Sequence, residues 1–225
     1  MVVVTGASRG LGRATVDEFA ADGWDVIALV RSQSELSPYK YAAVQIAEHD
    51  MRDDASNGLL SLIGRRPVDV LVNNAAQGAA QAEIGHVDPQ GLLESVDVNV
   101  AGPLRLVQAL LPNLESAPAP VIVNITSRLG SMSRQASGQY ADLTTSYAYR
   151  ISKAGQNMLT ISLANDLRGR VRCWAVHPGR LATDMGRPGA SKLPATAASQ
   201  LRELVESSDM ISPRFCSLGE PDLEW

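Results

Sequence analysis

Four β-branched residues, Val2-Val3-Val4-Thr5, run without a break into Gly6-Ala7-Ser8-Arg9-Gly10-Leu11-Gly12. No other feature restricts the fold of this chain as strongly. Residues 11–21 then carry Leu11, Ala14, Thr15, Phe19 and Ala20 at the spacing of one helix face. A strand that ends in spaced glycines and hands over to a helix is the opening of a βαβ unit. Each glycine has its own task there. Gly6 permits the tight turn, Gly10 lets the backbone approach a pyrophosphate, and Gly12 lets the helix pack closely on the sheet. Phosphates placed at this turn meet free N–H groups and the positive end of the helix dipole. Spaced glycines alone are weak evidence, but the setting between a strand and a helix gives them meaning.

The remaining chain repeats the alternation. Residues 25–30, 44–47, 68–72, 120–125 and 171–176 read as strands, and residues 53–63, 89–111 and 147–167 as helices. Strand runs that are apolar on both faces and separated by helices imply a parallel sheet covered on both sides. The expected fold is therefore α/β: a single Rossmann-like domain over residues 1–225, doubly wound around a parallel sheet. The Pro/Ser/Ala-rich stretch 188–199 reads as a surface excursion, with residues 183–209 on the substrate side. With 45% apolar and 20% charged residues, 225 residues suit one sizeable core. A formal charge of -4 supplies no basic footprint for nucleic acid. No apolar run approaches bilayer length, and the amino-terminal residues read as a strand and not as a signal peptide. Cys173 and Cys216 follow no metal spacing; they are a possible disulfide or, as a cytoplasmic location would favour, two buried thiols.

A site selecting NAD places an acid after the second strand to hold the ribose hydroxyls. Here that strand ends Ala28-Leu29-Val30-Arg31-Ser32, with no acid. Arg31, with Arg9 in the glycine turn, suits a 2′-phosphate through charge-assisted hydrogen bonds. NADP(H) is accordingly expected over NAD(H), with Ser8 and Leu11 also against the dinucleotide.

Tyr149 and Lys153 stand four apart at the front of a helical stretch and share one face. A phenol titrates near ~10 when unperturbed, and a neighbouring ammonium favours the phenolate. Tyr149 then serves as general acid for carbonyl reduction and as base for alcohol oxidation. Ser127, at the carboxyl end of a strand, would donate to the substrate oxygen. The motif Asn73-Asn74-Ala75-Ala76 ends another strand, where it can line the cofactor ribose and fix neighbouring strands. Asn99 lies beside Gly102-Pro103, where a kink would free a carbonyl to hold a water against Lys153. Pro178 and Gly179 turn the chain at the sheet edge, leaving backbone groups for a carboxamide, with Leu181 nearby and Thr183 for a phosphate. His177 offers a base, but without a carboxylate partner in sequence it reads as structural. No metal site is expected.

In this order the motifs resemble the short-chain dehydrogenase/reductase family across almost the whole chain. The resemblance implies that Asn99, Ser127, Tyr149 and Lys153 form an active tetrad and that Asp50 and Met51 contact the adenine. It also implies a homodimer or homotetramer packed through two long helices. A narrower likeness, to the C-factor and sniffer-like carbonyl reductase group, rests on Ser127-Arg128-Leu129-Gly130-Ser131, Tyr149-Arg150-Ile151-Ser152-Lys153-Ala154, Thr183-Asp184-Met185-Gly186 and the ending from Arg214-Phe215 to Trp225. Two departures stand out. Ala76 replaces the glycine that usually closes Asn-Asn-Ala-Gly, and the segment between Ser127 and Tyr149 is long, with extra residues around 137–146. That insertion offers Tyr140 and Tyr147 as rival acids, though neither has a lysine four residues on. The leading expectation is an NADP(H)-dependent ketone or aldehyde reductase acting on a small molecule. Within the fold, NAD-linked dehydrogenation and epimerase or lyase chemistry are alternatives. So is a dinucleotide-binding regulatory protein of the C-factor type.

Overall fold

The computed structural model describes residues 1–34, 36–183 and 189–225. Their elements, in chain order, are β1 (Val2–Thr5), α1 (Gly10–Ala21), β2 (Val26–Val30), β3 (Val44–Glu48), α2 (Asn57–Ile63), β4 (Val70–Asn73), α3 (Pro89–Val96), α4 (Gly102–Glu115), β5 (Val121–Ile125), α5 (Met132–Ala136), α6 (Tyr147–Asp166), β6 (Arg172–His177), α7 (Pro194–Glu206) and β7 (Arg214–Ser217). All strand pairs are parallel, in the order β3-β2-β1-β4-β5-β6-β7.

Strand periodicity sorts the core into two layers, because alternate side chains leave opposite faces of a sheet. Val2, Val4, Ala28, Val72, Val123 and Trp174 face α1 and α7, where they meet Phe19, Leu11 and Leu201. Val3, Ile27, Leu71, Ile122 and Cys173 face the other way, onto Leu106, Leu110, Leu114 and Leu163 of α4 and α6. The central strands are buried throughout, which is why they read as continuous apolar runs. The doubly wound α/β sheet expected from the sequence is the one observed.

Strand and helix ends shift by a few residues, and three larger differences from expectation each have a local reason. The helix expected from residue 53 begins at Asn57, because Ser56 caps it by accepting from the Leu59 N–H at 3.1 Å. The single helix expected over 89–111 is interrupted by a π-helical turn, Asp97–Ala101, between α3 and α4. This wide turn contains Asn99, which is fully buried, in keeping with the frequent placement of such bulges at functional positions.

The third difference is the largest. From Pro194 onward the expected excursion over 183–209 is α7, whose Ala197, Ala198, Leu201 and Val205 are buried against the sheet. Arg202 of α7 reaches Glu18 of α1 at 3.1 Å. The signal was present in the spacing of those four apolar residues, but small alanines and a flanking Pro/Ser-rich stretch concealed it. Residues 184–188 of the excursion lie outside the described residues. The short strand β7 also went unread. Four residues flanked by Pro213 and Gly219 give too little pattern to distinguish from a turn.

If α7 is a core element, Leu201→Ala should cost about 2–5 kcal/mol in urea unfolding, the usual range for a buried leucine. A loss within about 0.5 kcal/mol would return the helix to the status of a surface excursion.

Candidate active site

The order of the sheet reverses at β1 and β4, and the two strand ends there are tied by one side chain from each. The Thr5 hydroxyl accepts from the N–H groups of Asn74 and Ala75, both at 2.9 Å. Asn74 Nδ2 donates back to the carbonyls of Thr5 at 2.9 Å and Gly6 at 3.2 Å. This lock leaves no room for side chains. Gly6 sits at φ 63°, and a Cβ on it would stand 2.8 Å from Ala75 Cα. On Gly12 a Cβ would lie 2.2 Å from the Gly6 carbonyl oxygen. Arg9, which precedes α1, makes no side-chain cap to it, so among the described residues the first-turn N–H groups face the cleft in a form that suits an anion. From outside, Tyr39 Oη donates to the Ala7 carbonyl at 2.6 Å, with the Arg13 guanidinium 3.9 Å above its ring.

Beyond this turn opens a cleft of about 580 Å³ along the carboxyl edge of the sheet. Its floor is Gly6, Ser8, Arg9, Gly10 and Leu11. Toward the β2–β3 side stand Arg31, Asp50 and Met51, with His49 and Arg52, which sequence reasoning missed. Arg52 binds Asp50 through Nε at 3.0 Å and Nη2 at 2.6 Å, and this contact holds the Asp50 carboxyl down at about 2. Toward β6 stand Pro178, Gly179, Leu181 and Thr183, joined by Pro194 at the start of α7. Ala75 lines the middle, beside Gln77 and Thr126, two further residues not foreseen.

Two expected cofactor residues lie outside the cleft. Gly12 acts by packing, as described above. Asn73 is fully buried and donates through Nδ2 to Asn124 Oδ1 at 2.8 Å, so it joins β4 to β5. Strand fixing therefore falls to Asn73 toward β5 and to Asn74 toward β1, while Asn74, Ala75 and Ala76 line the cleft.

Tyr149 and Lys153 both line the cleft from α6. Ser146 caps α6 by accepting from the Tyr149 N–H at 3.2 Å, which fixes where Tyr149 enters. Lys153 is 2% exposed, and its Nζ lies 5.9 Å from the Tyr149 ring centroid. It donates to the Ile125 carbonyl at 2.8 Å and to Gln156 Oε1 at 2.9 Å. Burial pushes its ammonium down to about 7. Asn99 reaches out of the π turn to grip Gln77, receiving from its N–H at 2.8 Å and donating to its carbonyl at 2.7 Å. It also donates to Ser152 Oγ at 2.9 Å. Ser127 is buried just past β5, where its Oγ accepts from the Leu129 N–H at 3.2 Å; like Asn99, it stands behind the residues that line the cleft.

The rival residues take other places. Tyr140 is buried, with its hydroxyl 3.3 Å from Arg134 Nη1 and its ring 5.5 Å from the Arg128 guanidinium. Tyr147 is 43% exposed at the front of α6. His177 is buried, and desolvation, reinforced by Arg128 and Lys192, drives it down to about 4, so it is neutral. Arg150 fastens the long segment before α6 through the Gln135 side chain at 2.9 Å and the Leu143 carbonyl. Both cysteines are free and buried.

Comparison with known proteins places this architecture. Residues 1–193 match the family model described as short chain dehydrogenase. C-signal of Myxococcus xanthus is 36% identical over 165 residues, 71% of this chain and 93% of that protein. Among solved structures, carbonyl reductase Sniffer of D. melanogaster superposes with a TM-score of 0.83 at 27% identity, covering 100% of this chain and 98% of its own. The NADPH-bound carbonyl reductase from chicken fatty liver gives 0.86 at 27% identity, covering 100% and 93%.

The depressed Lys153 has a consequence for stability. An unfolded lysine titrates near ~10.4, so between pH 7 and that value the unfolded chain binds the extra proton. Stability therefore rises with pH across this window, by up to about 1.4 kcal/mol per pH unit from this group. We expect Lys153→Met to be more stable than the parent at pH 7, with the gap shrinking toward pH 9 in chemical denaturation. A gap independent of pH would contradict the burial argument.

Proposed function

The chain belongs to the short chain dehydrogenase family, and on that premise we propose that it is an NADP(H)-dependent oxidoreductase acting on a small-molecule ketone, aldehyde or secondary alcohol. One observation carries the reading: a single cleft joins an uncapped glycine turn to Tyr149 and Lys153. The residues present fit the cofactor, since the free N–H groups at the front of α1 suit a pyrophosphate and the cations Arg31 and Arg9 suit a 2′-phosphate. The two carbonyl reductases of like fold support this reading, the chicken enzyme being NADPH-bound.

Bound there, the nicotinamide supplies or accepts the hydride. The chain's own residues manage the proton and the charge. Tyr149 gives its phenolic proton to the carbonyl oxygen in reduction and takes one back in oxidation. The Lys153 ammonium favours the phenolate and binds the ribose hydroxyls. Ser127 donates to the same substrate oxygen, and Asn99 holds the Gln77 segment against the cleft. Asp50 and Met51 would hold the adenine, Ala75 the ribose, and Pro178, Gly179, Leu181 and Thr183 the carboxamide and phosphate side. Leu93 of α3 and Ile151 and Met158 of α6 are 59%, 46% and 58% exposed, which favours pairing of two copies through these helices. The free, buried thiols suit a cytoplasmic setting.

The decisive assay is the loss of NADPH absorbance on adding a panel of ketones and aldehydes. Tyr149→Phe should lower turnover by about 10²–10⁴-fold while leaving NADPH binding nearly unchanged. Tight NADPH binding without turnover of any carbonyl would instead favour a regulatory role of the kind named by C-signal. Arg31→Ala should weaken NADPH binding, measured by fluorescence titration, by roughly 1.5–3 kcal/mol and leave NADH affinity unaltered. Equal NADPH affinity in variant and parent would remove Arg31 from the phosphate site. Met158→Glu should shift the light-scattering mass toward the monomer.

A further inference from the structure

Lys153 has little solvent, and two neutral oxygens stand in its place, the Ile125 carbonyl and Gln156 Oε1. Gln156 is itself fully buried, three residues further along α6. A chain of buried hydrogen bonds fixes that turn of the helix. Asn73 donates to Asn124 at 2.8 Å, Asn124 Nδ2 donates to Thr160 Oγ1 at 2.9 Å, and Thr160 Oγ1 donates to the backbone carbonyl of Gln156 at 2.9 Å. The Gln156 side chain then closes the chain onto the ammonium.

We propose that Gln156 is a positioning residue for Lys153, holding the ammonium group with an oxygen that carries no charge. An ammonium has three N–H donors and no acceptor, so it fixes which end of the Gln156 amide faces it. With two donors committed to Ile125 and Gln156, the third is left for the cleft that Lys153 lines. The neutrality of the partner matters as much as its oxygen. A leucine or methionine would leave a buried N–H without an acceptor and favour the uncharged amine. A glutamate would keep the contact but offset the positive charge that Tyr149 is proposed to depend on. Glutamine supplies the acceptor and leaves the charge intact.

Charged or titratable groups on the elements around Lys153 do not account for its state. They are Tyr147, Tyr149, Arg150 and Asp166 on α6, Glu94 on α3, Asp97 in the π turn, Arg128 after β5, and Arg172, Cys173 and His177 on β6. Lys153 is shifted by burial alone. The Ile125 carbonyl and Gln156 Oε1, at 2.8 and 2.9 Å, are the acceptors that the geometry sets against this desolvation.

The catalytic meaning of this role rests on the function proposed above, but the contact can be tested without turnover. The Lys153 side chain is titrated by NMR in the cofactor-free protein, in the parent, Gln156→Met and Gln156→Glu. The midpoint should fall by about one unit in Gln156→Met and rise by at least as much in Gln156→Glu. Superimposable titrations would overturn the proposal. If Gln156→Met does not fold, the near-isosteric Gln156→Glu decides alone. In the active enzyme, the pH midpoint for alcohol oxidation should move upward in both variants. A residue that merely packs would lower the yield of folded enzyme and leave that midpoint in place. Should the parent turn over no carbonyl while the Lys153 midpoints separate as described, the proposed function fails and the positioning role stands.

Discussion

The lock between Thr5 and Asn74 is the constraint on which the rest of this molecule depends. It joins the ends of the two strands from which the sheet grows in opposite directions, and it consists of four hydrogen bonds made by two side chains. Because the backbones approach so closely there, the glycine turn can only be glycine, and α1 is drawn down until its amino terminus faces the cleft. A parallel sheet offers ligands the crevice beyond its carboxyl ends where the strand order reverses. Here that crevice is built by hydrogen bonding within the chain. The pyrophosphate site proposed for it would thus be a consequence of how two strands are sewn together.

The second organising fact is the depth of Lys153. Placing an ammonium at 2% exposure is unfavourable unless oxygens replace the water it loses. β5 supplies one through the Ile125 carbonyl and α6 supplies another through Gln156. The buried amides Asn73 and Asn124 and the hydroxyl of Thr160 belong to the same polar seam, which runs from the middle of the sheet to the active face of α6. Such a seam is a costly use of core space for stability alone, since Asn73 Oδ1 and Gln156 Nε2 are buried with no hydrogen-bond partner among the described residues. Its position under the Tyr149–Lys153 pair gives it a purpose.

Much of this was legible in the sequence, and the limits are physical. The central strands and the long helices announce themselves because burial on both sheet faces forces continuous apolar runs and wide helical stripes. Gly6, Ser8, Arg9, Gly10 and Leu11, Asp50 and Met51, Ala75, Tyr149 with Lys153, and Pro178, Gly179, Leu181 and Thr183 come to one cleft because each sits at a strand's carboxyl end or on the helix covering it. What could not be read was anything set by contacts across the fold. Asn73 and Asn74 are identical neighbours, and only the pleat decides that one points into the sheet and the other into the crevice. Gln156 looks like an ordinary helix residue until β5 is placed beneath it. α7 hid because alanines carry a weak apolar signal, and the π turn hid because adding one residue to a turn leaves no compositional trace.

Arg105 links features that otherwise look separate. Its Nη1 donates to the Met51 carbonyl at 3.0 Å, and its Nη2 binds Asp97 at 2.6 Å, where the π turn begins. Three residues earlier, a Cβ on Gly102 would stand 2.5 Å from the same Met51 carbonyl oxygen. The loop after β3 and the wide turn that aims Asn99 therefore rest on a common bracket at the front of α4. Redesigning one end of the groove for a different nucleotide would drag on the other. Met51 and the turn that carries Asn99 are thus one mechanical unit in this protein, and mutations that separate them would have to begin at Arg105.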